Sequence, residues 1–200
     1  NNAGWTGRIE VGNRNGGGAQ FQGPDLDKQT WLRFGTNTTN GAQAGAPVVT
    51  TAISANNDVQ FQHNATLQTF GSEVNIGNIL NGPGTLQDGG GNATSFIENG
   101  GTAEQGTLIV NQDTNATFDG IIRDGTFFSP EEADATSTQT ANDVAQATAS
   151  GNVKAFNLAL NADTLATTVT LDNTNTYTGK TTLIEGTLAL GANGSIDDSP

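Results

Sequence analysis

Positions 173–195 read NTNTYTGKTTLIEGTLALGANGS. In the run Gly186-Thr187-Leu188-Ala189-Leu190-Gly191, two glycines bracket a short strand. Successive side chains on a strand point to opposite sides, so Leu188 and Leu190 share one side and Thr187 and Ala189 the other. The first side is expected to be dry and the second wet. The triplet Gly-Thr-Leu occurs three times, at Gly84, Gly106 and Gly186. Its spacing is irregular, which suits corners of unequal rungs better than a strict repeat.

Composition points the same way. Only 34% of the 200 residues are hydrophobic and 27 are Gly, too little apolar material for a thick globular core. A thin solenoid needs only a few inward side chains per rung and tolerates Thr, Asn and Asp elsewhere. With roughly 20 to 25 residues per rung and about 4.8 Å between rungs, about seven rungs would span some 35 Å.

The Asn175-Thr176-Tyr177-Thr178-Gly179-Lys180-Thr181 run, followed by Gly186-Thr187-Leu188, resembles the autotransporter-associated β-strand repeat of secreted parallel β-helix proteins. That repeat reads Asn-x-Tyr-Thr-Gly-Gly-Thr and then Gly-Thr-Leu, so Lys180 departs from it where a second glycine is usual. The resemblance covers about an eighth of the chain, and the segment NQDTNATFDGIIRDG at 111–125 is similar to a phrase that often precedes the repeat. It implies an all-β parallel β-helix and an extracellular or cell-surface location. Asn175, Tyr177, Thr178, Gly179, Thr181, Gly186 and Leu188 are the structural motif it marks, and such repeats are mostly scaffold.

Residues 1–35 differ from the rest and are read as an N-terminal capping or docking segment, with 36–200 as the β-solenoid. Both tryptophans, Trp5 and Trp31, lie in this head, beside the glycine run 16–18 and the turn Gly23-Pro24-Asp25. Closing the end of a core, stacking on a sugar and packing on another subunit are three accounts of those rings. Short alternating segments follow, among them Val59 and Phe61, Val74 and Ile76, Phe96-Ile97, and Leu108 and Val110. Ser129-Pro130-Glu131-Glu132 has the form of a helix start. It opens an insertion at about 128–150, a loop or short helix leaving the solenoid. Phe156, Leu158 and Leu160, then Leu165, Val169 and Leu171, are expected to resume the core.

Net charge is −13, which argues against nucleic acid and anionic membrane as partners. Arg8, Arg14, Lys28 and Arg33 are four of the seven basic residues, so the head is roughly neutral and the body acidic. With no Met at position 1 and no charged-then-apolar leader, the chain is expected to be a mature product or excised segment. No run approaches the eighteen or so apolar residues of a transmembrane helix, so direct membrane insertion is not expected.

Chemistry is sparse. The one histidine, His63, has no Cys or second His with which to form a zinc site or thiol triad. Asp113, Asp119, Arg123, Asp124 and Lys180 are the groups from which acid–base work on a sugar would have to be drawn; they read as a solvated face. No calcium-binding tandem or EF-hand pattern occurs. Asn-x-Ser/Thr sequons start at Asn37, Asn64, Asn92, Asn115 and Asn193. No catalytic, cofactor or metal residue is assigned.

The expected function is structural: a subunit of an extracellular filament or cell-surface assembly, polymerising head to tail with copies of itself. Trp5, Arg8, Arg14 and Trp31 would meet Ile196, Asp197 and Asp198 of a neighbour. The alternative is a segment of an autotransporter-like adhesin passenger that binds surface glycans through inserted loops. A carbohydrate-active enzyme is a third reading.

Overall fold

The computed structural model describes residues 7–11, 30–34, 53–61, 65–81, 95–100, 104–125, 153–196 and 199. The insertion at about 128–150 lies outside the described residues, as do Trp5, Arg14, His63, Asp197 and Asp198. Among the described residues there are strands and no helix. No helix there is long and apolar enough to cross a membrane.

Among the described residues fourteen strands form four sheets, and every strand pair there is parallel. The first sheet joins β1 (Ile9–Val11), β3 (Val59–Phe61) and β6 (Ile79–Asn81). The second runs β10 (Ile121–Arg123), β7 (Phe96–Glu98), β4 (Ala65–Gln68) and β2 (Thr30–Arg33). The third runs β13 (Thr181–Glu185), β11 (Phe156–Asn161), β8 (Gly106–Val110) and β5 (Glu73–Ile76). The fourth runs β14 (Thr187–Leu190), β12 (Thr168–Leu171) and β9 (Ala116–Phe118), with β9 also lying beside β6. Parallel partners cannot be joined by a tight hairpin. Side-chain bonds between facing rows accordingly link residues about 20 apart, as in Asn78 to Asp58, or about 50 apart, as in Asn161 to Asn111.

The alternation expected from sequence sets which residues are inside. In β5 Val74 and Ile76 are buried while Glu73 and Asn75 are half-buried; in β8 Leu108 and Val110 are buried between half-buried Thr107 and Ile109. The registers hold apolar positions in line: Val74 opposes Leu108, Leu108 opposes Leu158, and Val169 opposes Ala116. One buried apolar cluster draws on all four sheets, from Val11 and Phe34 through Leu67, Ile97 and Ile122 to Leu171 and Tyr177. Phe61 and Phe118 meet edge to face at 5.1 Å within it, a favoured aromatic arrangement. The head is therefore continuous with the body, since β1 and β2 pair with β3 and β4 and contribute Val11 to the same core.

Leu165 departs from expectation. Phe156, Leu158, Leu160, Val169 and Leu171 are buried, whereas Leu165 is 76% exposed. It sits in the turn between β11 and β12, where the Thr167 amide donates to the Thr164 carbonyl. A tight turn holds the side chain off the sheets, so hydrophobicity alone does not place it inside.

Candidate assembly surface at the β13 and β14 edges

The motif residues do structural work between neighbouring rows. Among the described residues no strand follows β10 in its sheet; an isolated bridge joins Arg123 to Thr176 instead. The buried Ile122 amide would lack a backbone partner, and it donates to Asn175 Oδ1 at 2.8 Å. The Asn175 Nδ2 donates onward to the carbonyls of Asn173 and Ser195, at 2.7 and 2.9 Å. One buried amide thus holds three rows, which is why Asn, with both donor and acceptor, is needed. Tyr177 is buried edge to face against Phe156, and its hydroxyl lies 2.7 Å from Thr181 Oγ1. Thr178 donates both its amide and its hydroxyl to the Asp124 carboxylate.

The glycines are fixed by space and by angle. A Cβ at Gly179 would run into the Phe156 carbonyl oxygen, so this backbone passes directly over β11. Gly186 has φ +98° and faces Ala162, a conformation in which other residues are strained. The Lys180 amide donates to Asn157 Oδ1 at 2.9 Å. Leu188 packs partly buried against the core.

Among the described residues, β13 and β14 are each an edge strand of their sheet. Register makes Leu183 the partner of buried Leu160, and Leu190 the partner of buried Leu171. Both therefore belong to inward rows, yet they are 51% and 49% exposed. The dry side expected of β14 is half wet because no described strand lies beyond it. Ile184, 60% exposed, falls where the β11–β13 register shifts between Leu160 and Asn161, as the extra residue of a bulge. Ile196 packs partly buried against the same end of the core. Ser195 already bridges to Thr174, and the Ser199 hydroxyl lies 2.6 Å from Thr181 Oγ1 and donates to the Gly179 carbonyl at 2.8 Å.

Charge gathers into rows as well. Gln68, Glu98 and Arg123 are register partners across β4, β7 and β10. Glu98 is fully buried; Gln68 donates to one carboxylate oxygen and Arg123 to the other, each at 2.6 Å. The Arg123 guanidinium also lies 3.7 Å from the Phe96 ring centroid, a cation–π contact. Asp119 accepts from Asn81 Nδ2 at 2.7 Å. Burial, and then the neighbouring Asp172 carboxylate, push its pKa above the ordinary carboxylate value. The two acids share no third acidic or histidine partner: among the described residues no group of three or more His, Cys, Asp or Glu is placed to hold a metal.

Of the residues expected at an assembly interface, Arg8, Trp31 and Ile196 are among the described ones. Arg8, just before β1, pairs with Glu10 of β1 at 3.2 Å, and Trp31 contributes its backbone to β2 opposite Thr66. These two edges lie in the sheets that begin at β1 and β2, and Ile196 lies at the β13–β14 end. Leu183, Ile184 and Leu190 were not singled out from sequence for this surface. Their exposure depends on what stacks beyond them, which alternation alone does not report. Asp113, Asp124 and Lys180 do not converge with Asp119 in hydrogen bonds; Asp124 instead accepts from Phe156 and Thr178 as a row-to-row brace. Comparison with known protein families, curated proteins and solved structures found no match.

Proposed function

We propose that the chain is a structural subunit of an extracellular filament or cell-surface assembly, with its four parallel sheets as the faces of a β-solenoid that is extended at the β13–β14 end. The observation that carries this reading is the pair Leu183 and Leu190. Both are inward by register and half exposed, on strands whose outer edges have no described partner. Unpaired edges with an apolar row beside them recruit another strand. The repeat-like residues support the scaffold role, since each is spent on holding rows together. In the head-to-tail form, the neutral head carrying Arg8 and Arg14 meets the acidic tail carrying Asp197 and Asp198. Electron microscopy of the purified chain at near-neutral pH tests it. Regular filaments are expected, and their loss is expected in a Leu183→Ser/Leu190→Ser variant; filaments unaffected by that variant would remove this surface from the assembly.

A second reading, a section of an autotransporter-like adhesin passenger, is favoured by Ser195 and Ser199, which already lie along Thr174 and Gly179 as the start of another turn. Here the row beyond β13 belongs to the same polypeptide, and glycans are held by loops such as 128–150. Dispersed monomers in the microscopy experiment, with glycan binding lost on deleting that loop, support it over the filament.

A further inference from the structure

The pair Asn-Gly occurs five times in the chain, and its asparagine is described at Asn81, Asn99 and Asn193. In such a pair the glycine nitrogen can reach the asparagine side chain, because no Cβ shields it and the backbone turns freely. The fold treats the three asparagines differently. Asn99 is fully buried; its Oδ1 accepts from the Gly71 amide, and its Nδ2 donates to the carbonyls of Glu104 and Lys154 at 2.9 and 2.8 Å. The Gly100 amide is itself bonded to another row, at the Asp124 carbonyl. Asn81 is half-buried, and its Nδ2 donates to Asp119. Asn193 is exposed, and among the described residues its carboxamide has no partner; only its backbone amide is engaged, on Asp172 Oδ1 at 3.0 Å. The Gly194 amide donates within its own turn, to the Gly191 carbonyl. This corner faces outward even where a row covers it: Thr174, bridged by Ser195, is exposed too.

The turn also holds a row in place. A Cβ at Gly194 would run into the Leu171 carbonyl oxygen, so the main chain there has no slack toward β12. One residue on, the Ser195 amide donates to the Asn173 carbonyl, and the Ser195 carbonyl accepts from the Asn175 amide and from Asn175 Nδ2.

We infer that Asn193 is a site of spontaneous modification, deamidating in the folded protein while Asn99 is preserved, and that its isoaspartate product releases the row at Ser195. The Gly194 nitrogen bonds to Asn193 Cγ, the Cγ–Nδ2 bond breaks, and Nδ2 leaves as ammonia with the Gly194 proton. Water opens the resulting succinimide at Cγ, restoring the chain with an aspartate, or at the main-chain carbonyl, leaving an isoaspartate whose backbone is one methylene longer. Nothing is oxidised or reduced. The added methylene finds no room beside Leu171, so the Ser195 bonds are lost; the aspartate product keeps them. Neither step depends on assembly.

The full chain is held folded at mildly alkaline pH, beside a sample in guanidinium chloride, and peptide mapping by mass spectrometry follows positions 99 and 193. Breaking the hydrogen bonds of Asn99 adds to its barrier, so position 193 is expected to convert about tenfold faster or more in the folded chain. Equal rates are expected once the chain is denatured. A folded chain in which position 99 keeps pace, or position 193 is as slow as position 99, overturns the inference. The separated isoaspartate form is expected to lose hydrogen-exchange protection at the Ser195 and Asn175 amides, whereas an Asn193→Asp variant retains it. An isoaspartate form that keeps this protection overturns the release of the row.

Discussion

Replacing Asn175 by alanine isolates what a repeat asparagine contributes. Three hydrogen bonds disappear, but their loss is unequal. The Asn173 carbonyl keeps the Ser195 amide at 3.1 Å, and the Ser195 carbonyl keeps the Asn175 amide at 3.0 Å. Only the Ile122 amide, buried and 2.8 Å from Asn175 Oδ1, is left without a partner. An orphaned buried donor costs about 1–3 kcal/mol, and each of the two other bonds is worth about 0.5–1.5 kcal/mol net. The expected loss is therefore about 2–6 kcal/mol, a large part of the stability of an ordinary domain. Urea unfolding gives the total, and amide hydrogen exchange gives the location: the Ile122 amide is expected to lose protection well beyond its neighbours in β10. Asn175→Asp is expected to be at least as damaging near pH 7, because a carboxylate oxygen would face the Asn173 and Ser195 carbonyls. A loss below about 1 kcal/mol, or an Ile122 amide that exchanges as before, would refute the claim that this side chain stands in for a missing strand.

Gly179→Ala drives a Cβ into the Phe156 carbonyl oxygen and is expected to cost about 1–3 kcal/mol by overpacking, read as a lowered urea midpoint; an unchanged midpoint would mean the backbone yields there. Arg123→Met leaves the buried Glu98 carboxylate without its cation and is expected to cost about 3 kcal/mol, largely recovered in the Glu98→Gln/Arg123→Met double variant. Additive losses in that pair would show that the two groups do not act together. Asp119 has a raised pKa, so the folded state favours its protonated form, and its contribution to stability falls as pH rises from the ordinary carboxylate value through the raised one. Asp119→Asn is accordingly expected to raise the urea midpoint at pH 7, with a gain that shrinks on acidification; a gain that grows toward low pH would contradict the assigned cause.

The strands with a clear two-residue period were legible in the sequence. Val74 and Ile76, Leu108 and Val110, and Phe156, Leu158 and Leu160 all lie inside, as alternation requires. What stayed hidden depends on vertical neighbours. Glu98 and Arg123 are 25 residues apart, and nothing local in either segment announces that Glu98 is buried with Arg123 as its partner. Leu165 looks like a core leucine until the turn around Thr164 and Thr167 is known. Leu183 and Leu190 have the right period, but whether they are covered is a property of the next row and not of their own strand. The same holds for the candidate surface: its acidic and basic residues could be listed from sequence, whereas its apolar part required the register of β13 on β11 and of β14 on β12.

The short loops between partnered rows have a mechanical meaning. Rows such as Asn175 and Ser195, or Asp58 and Asn78, are separated by 20 residues yet stand only about 4.8 Å apart across the sheet. A pull across a sheet, perpendicular to its strands, loads the inter-strand bonds one strand at a time, as a zip and not as a shear. Each row that opens frees a length of chain that extends to about 66–72 Å at 3.3–3.6 Å per residue. Under tension the edge of such a sheet gives up more than ten times the width it loses, strand by strand, while the strands beneath keep their pairing. The braces at Asn175, Asp124 and Asn78 then set the force at which each row lets go.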